Sequence, residues 1–499
     1  MVKIGMVICV VIGMFYITFT IFTTKSYLKG SMDIASYSGK WKRNSGSSYY
    51  ALQYVVYCEN PIDIQRQCLS IYVPDAYLNA DGSVNPDGKA GKHTAATAPI
   101  LYINRVSGYF EVPSAMLIFP NKDYLKQGYV LVYPASRGIT TKAKDGSYIG
   151  RSPEALVDLK AGIRFIKANA DNLPGDTNRI FSIGSSAGGA MSSLLGVTGN
   201  SERYTPYLEA IGAMMDSADD VYASVCYCPI TDLEHADLGY EWMFGADESK
   251  LKTGFLKDLS SILARDYTGY VNSLKLLDPQ TGESLTLNED GRSGSFHDYL
   301  LEKLNKTASA HFNANGHNEN YPWLTWDGDA ARIADFDGFI QGYNKRMKGC
   351  TSFDTLAMSS PENQALAGAD EKATHFNEYI VPALEKLNGK YPAEREKYYG
   401  AYAAALNDGE LNKRKKLYNP LSFIGTVEKS DVAPHFRIRV GTKDNHTAFT
   451  VSLILALKLL ETGSVDVDQE YVWGADHGGV AKADTELTDW IDSICQQDM

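Results

Sequence analysis

The sequence predicts an α/β fold, in which a mostly parallel central sheet with helices on both faces is interrupted by a large, mainly helical insertion. Short runs rich in β-branched and aromatic residues alternate with helical patterns after residue 45. Such alternation is typical of parallel strands covered by helices. It stops between about Thr231 and Pro420 and resumes at Phe436. The simplest organisation is therefore one α/β unit that carries an insertion.

The predicted strands are apolar runs bounded by turn-forming residues, and they are Leu69–Val73, Pro99–Asn104, Tyr129–Tyr133, Ile180–Ile183, Ala223–Cys228, Phe436–Val440 and Glu470–Trp473. A helix is expected after the third strand, with Ser152 as its N-cap and Pro153 at its first position. Its apolar face repeats at helical spacing, at Leu156, Leu159, Ile163 and Ile166. Within the insertion, helical pieces are expected around Ala330–Tyr343 and Tyr379–Leu387.

Length, composition and charge limit the classes of protein to which this chain can belong. The 499 residues are 44% apolar and 22% charged, which is ordinary globular composition and excludes fibrous and disordered classes. We expect residues 45–230 and 421–499 to form the two parts of the α/β core and 231–420 the insertion. The net charge is −12 and the longest basic run is Lys413–Lys416, so a nucleic-acid partner is not expected.

The N-terminal segment, residues 1–30, is expected to act in export. From Ile4 to Phe22 there are nineteen uncharged, mostly apolar residues after a short basic start, as in a signal peptide or a membrane anchor. The run is long and no A-x-A cleavage pattern follows, which slightly favours the anchor. An extracytoplasmic location follows from either reading. Six cysteines lie beyond this segment, without the paired C-x-x-C spacing of a zinc site, so no metal is expected; a bridge between Cys58 and Cys68 stays open.

A serine nucleophile is indicated by the motif Gly184-Ser185-Ser186-Ala187-Gly188, which follows a predicted strand and opens a predicted helix at Gly189–Leu195. A sharp strand-to-helix turn needs small neighbours and holds the serine hydroxyl clear of the sheet. In this context the motif predicts Ser186 as the nucleophile. An alternative is a Gly/Ser-rich turn used only for packing.

The base and the acid are expected after the last two strands. His477 lies in a glycine-containing loop directly after the final predicted strand, whereas the other histidines lie in loops, in the insertion or at the wrong end of a strand. Asp444 follows the strand Phe436–Val440 and fits the chain order nucleophile, acid, histidine. Asp476 and Asp232 are its rivals. The oxyanion donors are expected to be the N–H of Ala187 and, from the loop after Pro99–Asn104, Ser107 or Gly108.

Four further stretches are informative together: Leu69–Pro74, Gly184–Ser201, Cys228–Thr231 with Tyr240–Trp242, and Val440–Asp444. Taken jointly, they resemble the corresponding segments of the bacterial tannases and their feruloyl-esterase-like relatives in the α/β-hydrolase superfamily. The resemblance runs from about Tyr54 to His477. It implies an α/β-hydrolase fold with an inserted lid domain, a serine esterase that needs no cofactor, and the same three catalytic residues.

The same resemblance implies how an aromatic acyl group is held. Lys348 and Glu362 would meet phenolic hydroxyls, and Ile230 and Pro361 would sandwich the ring, in keeping with their chemistry. The chain departs from the family at His446, where tannases carry an aspartate that helps bind a ring hydroxyl. Galloyl, hydroxycinnamoyl and plainer carboxylesters are therefore all open as substrates.

Two other functions remain open at this point. A serine peptidase of related fold needs an acidic pair for a substrate amine, for which Glu241 with Glu234 is the only weak candidate. A non-catalytic surface protein of the same fold usually lacks the nucleophile or the base, whereas this chain retains candidates for both.

Overall fold

The computed structural model describes residues 6–11, 14–19, 26–43, 46–316, 321–426 and 429–497. The strands are β1 (Met6–Val11), β2 (Met14–Phe19), β3 (Lys42–Arg43), β4 (Tyr49–Val56), β5 (Cys68–Pro74), β6 (Lys89–Ala90), β7 (His93–Thr94), β8 (Pro99–Ile103), β9 (Val130–Pro134), β10 (Asp176–Ser185), β11 (Ala223–Tyr227), β12 (Leu324–Asp327), β13 (Ala330–Ile333), β14 (His435–Gly441) and β15 (Asp466–Val472).

The helices are α1 (Lys122–Gln127), α2 (Glu154–Ala168), α3 (Ala187–Val197), α4 (Thr205–Ala210), α5 (Leu233–Phe244), α6 (Gly254–Ser273), α7 (Ser295–Asn315), α8 (Phe336–Tyr343), α9 (Pro361–Ala365), α10 (Ile380–Leu387), α11 (Pro392–Leu406), α12 (Gly409–Tyr418), α13 (Phe449–Leu460), α14 (Val480–Ala483) and α15 (Leu487–Gln497).

A nine-stranded sheet forms the centre of the molecule, in the order β15-β14-β11-β10-β8-β9-β5-β4-β3. The six strands from β15 to β9 are parallel to one another, and the last three pair antiparallel. All seven predicted strands lie in this sheet, so the predicted α/β class is confirmed. Because β10, β14 and β15 are parallel, the loops that follow them all lie at the carboxyl ends of the strands, on the same side of the molecule.

Strands β3 and β4 are absent from the sequence prediction. Strand β4 lacks a simple alternation because its register against β5 shifts between Leu52 and Val55, and Tyr54 lies there in the left-handed region with φ 62°. A bulge of this kind changes which side chains face the core. The apolar alternation that marks a strand is therefore interrupted in the middle of β4.

The prediction of one helical piece at Ala330–Tyr343 is wrong in its first half. Residues 330–333 are strand β13, which pairs antiparallel with β12. Helix α8 begins only after Asp335, whose carboxylate accepts a hydrogen bond from the N–H of Gly338. The cap explains where the helix begins, because it satisfies an N–H that has no partner inside the helix.

The start of α2 also differs from the prediction. Pro153 is the N-cap and the helix begins at Glu154, without a side-chain cap. The hydroxyl of Ser152 instead donates to the carbonyl oxygen of Arg414, at 2.8 Å. The predicted cap therefore joins the core to α12, near the end of the predicted insertion.

The stretch 231–420 contains α5 to α12 and the β12–β13 pair, whereas all nine strands of the sheet lie outside it. It has a small apolar cluster of its own, built mainly from α6, α10 and α11 around Leu259, Leu263, Ile380, Leu384 and Tyr402. Nearly all the other buried apolar residues form one large cluster, which extends from the sheet into α5, α7 and α8 of this stretch. The division of the chain into domains stays a prediction: the strands of the sheet lie outside 231–420, but the main apolar cluster crosses its boundaries.

The predicted export segment, Ile4–Phe22, lies partly outside the described residues. Within it, β1 and β2 pair antiparallel, with Met6 opposite Phe19. In the part of the chain that the structure describes, no helix is long and apolar enough to span a bilayer. The six cysteines from Cys58 onward are buried free thiols, so Cys58 and Cys68 are not bridged.

Candidate active site

Ser186 lies on a sharp turn between β10 and α3. Its backbone is in an unusual region, φ 61° and ψ −126°, and its N–H donates to the carbonyl oxygen of Tyr227 at 2.9 Å. A Cβ on Gly184 would lie 2.1 Å from the carbonyl oxygen of Gly188, and a Cβ on Gly188 would lie 2.7 Å from the Asn104 side chain. Both glycines are therefore required for the turn that presents the serine hydroxyl.

The predicted triad residues lie in hydrogen-bonding contact. His477 Nε2 is 2.8 Å from Ser186 Oγ, and His477 Nδ1 is 2.8 Å from Asp444 Oδ2. Asp444 is fully buried and follows β14, while His477 follows β15. The carboxylate fixes the proton on Nδ1, which leaves Nε2 free to accept the proton of the serine hydroxyl. The rivals Asp476 and Asp232 make no such contact; Asp232 instead accepts from His235 at 2.8 Å.

The electrostatics of the two neighbouring imidazoles differ. Burial alone would lower the pKa of His477, but the Asp444 carboxylate outweighs this and raises the pKa. The ring of His446 stacks on that of His477, with centroids 4.2 Å apart. Burial, with His477 nearby, lowers the pKa of His446 to about 4. At neutral pH, His446 is therefore an uncharged neighbour of the catalytic imidazole.

The candidate oxyanion hole lies at the N-terminus of α3. Ala187 is the first residue of the helix, where the N–H groups have no intrahelical partner. The loop that follows β8 is joined to this turn by Asn104, whose amide donates to the carbonyl oxygens of Ile183 and Gly188. Gly108, at φ 55°, lies in that loop. Ala187, and either Ser107 or Gly108, stay predictions as oxyanion donors.

The residues expected to hold an acyl group lie on elements that meet at this loop. Tyr109 donates its hydroxyl to the carbonyl oxygen of Ile230, at 3.1 Å. A Cβ built on Gly108 would lie 3.8 Å from Pro361 Cγ, so Pro361 also lies against this loop. Glu362 follows in the first turn of α9 and is 6% exposed.

Lys348 and Glu362 form the polar part of this region. The Lys348 ammonium lies 3.6 Å from the centre of the Phe353 ring, an arrangement that favours a cation. Burial lowers the pKa of Lys348 and raises that of Glu362, and each group acts electrostatically on the other in the opposite sense. The described structure records no hydrogen bond from the Lys348 ammonium. The pair can therefore offer one donor group and one acceptor group to a ligand.

A hydroxyl that the sequence analysis missed joins the lid to the triad. Tyr240 Oη accepts from the N–H groups of Met347 and Lys348, at 3.2 and 3.0 Å. It donates to the carbonyl oxygen of Asn445, the residue after the triad acid, at 3.0 Å. Asn344 adds a second link by donating to the carbonyl oxygen of Asp444, at 2.8 Å. No local pattern marks these residues, because each contact joins segments about 100 or more residues apart.

The acidic pair considered for a peptidase is already occupied. Glu241 is fully buried and makes two hydrogen bonds to the Arg346 guanidinium, at 2.7 and 2.8 Å. Glu234 pairs with Lys415 at 3.1 Å. Neither carboxylate is available for a substrate amine, so the peptidase alternative has no support from this geometry.

Comparison with known proteins gives consistent relatives. The family model BD-FAE matches residues 108–259. Tannin acyl hydrolase from Lactobacillus plantarum is 35% identical, with a TM-score of 0.77 over 90% of this chain and 94% of that one. Fusobacterium nucleatum tannase is 31% identical, with a TM-score of 0.76 over 90% and 95% of the two chains. Solved tannin acyl hydrolases include complexes with 3,4-dihydroxybenzoate and with ethyl gallate.

A curated relative also matches over a short stretch. Esterase LipC of Mycobacterium tuberculosis is 37% identical over 73 residues, which are 14% of this chain and 18% of LipC. The match thus spans less than a fifth of that relative's length. The sheet, the serine turn and these relatives define a serine carboxylester hydrolase of the α/β-hydrolase class. Within that class, the chain belongs to the tannase family.

Proposed function

We propose that this enzyme hydrolyses esters of hydroxylated aromatic acids, galloyl or hydroxycinnamoyl esters, through an acyl-enzyme. The carrying observation is the pair of buried charged groups, Lys348 and Glu362, which act electrostatically on each other. The N–H of Lys348 donates to the Tyr240 hydroxyl, which donates to the backbone next to the triad acid. The apolar residues Ile230 and Pro361 both adjoin the loop at 107–109. A phenol can donate to a carboxylate and accept from an ammonium, while apolar faces suit an aromatic ring. The ligands of the solved relatives, 3,4-dihydroxybenzoate and ethyl gallate, have this chemistry.

The chemical steps follow from the triad. Ser186 Oγ attacks the ester carbonyl while His477 Nε2 takes the hydroxyl proton, and Asp444 stabilises the imidazolium. The oxyanion that forms faces the N–H of Ala187 and a second donor from the Ser107–Gly108 loop. His477 then protonates the leaving alcohol, which leaves the acid esterified to Ser186. A water molecule, deprotonated by His477, releases the acid.

The test compares three esters on the chain lacking residues 1–30: methyl gallate, methyl ferulate and p-nitrophenyl acetate. We expect kcat/KM for one of the phenolic esters to exceed that for the acetate after correction for its better leaving group, and Ser186→Ala to abolish all three activities. If Ser186→Ala stays active, or if the acetate is preferred, the proposal is wrong in its mechanism or in its substrate class respectively.

A substitution at Lys348 tests whether its ammonium group binds the phenolic substrate or only stabilises the lid. Lys348→Met should lower kcat/KM for the phenolic ester by roughly 10- to 100-fold, the worth of a hydrogen bond to a charged group. It should change kcat/KM for p-nitrophenyl acetate little. The matched control is Lys345→Met, because Lys345 lies in the same loop with its side chain exposed. Equal losses for both esters would assign Lys348 a structural role instead.

We also propose that the protein works outside the cytoplasm, directed there by the apolar segment 4–22. The support is the composition of that segment, which has no charged residue. Fractionation of cells that express the full chain, with sequencing of its N-terminus, tests this. Activity confined to the cytoplasm would contradict it.

A further inference from the structure

We propose that Cys228 and His477 form an inhibitory binding site for a soft divalent cation, such as Zn²⁺ or Cd²⁺, inside the catalytic centre. Cys228 plays no part in the hydrolysis described above. It follows β11 directly and is fully buried, in the left-handed region with φ 37°. Its thiol donates to the carbonyl oxygen of His477 at 3.3 Å.

The spacing of the two ligand atoms suits a shared metal ion. Cys228 Sγ lies 4.0 Å from His477 Nε2. A tetrahedral zinc bound to sulfur at about 2.3 Å and to nitrogen at about 2.0 Å holds those two atoms roughly 3.5 Å apart. Cadmium is larger and widens this separation. A shift of about half an ångström in either side chain therefore completes the bridge.

Two further groups fit the coordination. Asp444 holds the Nδ1–H of His477, with a separation of 2.8 Å, which is how carboxylates orient histidines that bind metals. Ser186 Oγ is 2.8 Å from His477 Nε2. When the metal binds to Nε2, this hydroxyl either becomes a third ligand or is displaced from its hydrogen bond. One atom each from Cys228, Asp444 and His477 lies within 4.8 Å of the others. Sulfur and imidazole together favour soft and borderline metals over Mg²⁺ or Ca²⁺.

Binding has a direct chemical consequence. The thiol releases its proton to solvent as the metal–sulfur bond forms, and the lone pair of Nε2 is taken by the metal. His477 can then no longer accept the proton of Ser186. The cation thus inhibits by occupying the base, and it does so in competition with the ester.

Binding is measured without any dependence on hydrolysis, by titrating Cd²⁺ into Ser186→Ala. We expect one site that shows the ultraviolet charge-transfer band of a thiolate–cadmium bond. The site should be lost in the Ser186→Ala/Cys228→Ala variant. It should persist in the control Ser186→Ala/Cys58→Ala, because Cys58 is also a buried thiol and follows β4, which lies far from β11 in the sheet. Persistence of the band without Cys228, or its loss without Cys58, would overturn the proposal.

Inhibition is measured with p-nitrophenyl acetate, each variant relative to its own rate without metal. We expect competitive inhibition that a chelator reverses. The inhibitory concentration should rise at least about a hundredfold in Cys228→Ser, since even an outer-shell partner of a metal is worth 10–100-fold in affinity. If Cys228→Ser does not fold, protection is tested in the wild type, where a fluorophosphonate on Ser186 should prevent the charge-transfer band. A band that forms equally well on the blocked enzyme places the metal elsewhere.

Discussion

Replacing Tyr240 by phenylalanine should impair recognition of the aromatic acid more than the hydrolytic chemistry. The substitution keeps the ring and its contact with Phe244, whose centroid is 4.5 Å away, and removes only the hydroxyl. That oxygen makes three hydrogen bonds, to the backbone of Met347, Lys348 and Asn445. The variant therefore removes one of the links between the lid segment that carries Lys348 and the loop that carries the triad acid, while those through Asn344 and Asn445 remain.

The stability cost can be estimated from the groups left without partners. An unsatisfied buried donor or acceptor costs about 1–3 kcal/mol. Met347 is 40% exposed, so water can reach its N–H. The other two groups, the N–H of Lys348 and the carbonyl oxygen of Asn445, are counted in full, which gives about 2–6 kcal/mol in total. The matched control is Tyr204→Phe, which removes one hydrogen bond from a buried phenol to the carbonyl oxygen of Leu417, at 2.7 Å. It should cost about 1–3 kcal/mol.

Two assays decide the outcome: urea unfolding for the free energy, and kcat/KM for methyl gallate and p-nitrophenyl acetate. A displacement of about 1 Å in a positioning group can cost 10²-fold. We therefore expect Tyr240→Phe to lower kcat/KM for methyl gallate by roughly 10- to 100-fold and that for the acetate by much less. Tyr204→Phe should lower stability and leave the ratio of the two esters unchanged. Parallel losses for both esters in Tyr240→Phe would refute the coupling.

Four further outcomes are expected. Asp444→Asn should lower kcat by about 10⁴-fold in steady-state assays, because the imidazolium loses its stabilising charge; a loss below tenfold contradicts that role. His477 must be neutral to act as the base and its pKa is raised, so kcat/KM should fall as the pH drops through a value above the usual 6.5; a pH profile whose acid limb lies below 6.5 would be inconsistent with this. His446→Asp should raise the ratio of kcat/KM for methyl gallate to that for methyl ferulate at least about tenfold, since a carboxylate accepts from a ring hydroxyl but not from a methoxy group; an unchanged ratio would remove His446 from the acyl site. Glu241→Gln should cost about 3–5 kcal/mol in denaturant unfolding, because the charge of Arg346 is left buried and unpaired; a cost under 1 kcal/mol would count against a strong pair.

The elements that local patterns specify were predictable from the sequence. The central parallel strands β8, β9 and β11 are almost entirely buried and read as largely apolar runs. Strand β14 is also buried, but it alternates apolar residues with Arg437 and Arg439. The serine turn carries its own glycines, and the chain order of strands fixes which loops meet it. Ser186, Asp444 and His477, the last from among nine histidines, could therefore be chosen by their positions in the chain.

Other parts of the site depend on contacts between distant segments and leave no local signal. Tyr240 reads as one more aromatic residue on an amphipathic helix, and its role depends on the backbone of residues that follow 107 and 205 positions later. Cys228 reads as the end of a buried strand, and only the folded chain brings its sulfur to His477. Strand β4 could not be predicted for a different reason: a register shift against β5 interrupts the alternation of buried and exposed residues along it.

Hydrogen bonds between the triad-acid loop and the lid restrict which positions can change without disturbing catalysis. The loop that carries Asp444 and His446 is hydrogen-bonded to the loop that carries Lys348 through one phenol oxygen and two asparagine side chains, Asn344 and Asn445. A substitution that displaces either loop therefore moves the acyl-binding groups and the triad acid together. His446 is different, because its ring faces His477 and its only recorded hydrogen bond in the described structure is from its backbone N–H to Asp444. Position 446 can thus exchange side chains without loosening the link between the loops, which makes it the position where acyl preference can change at least cost to catalysis.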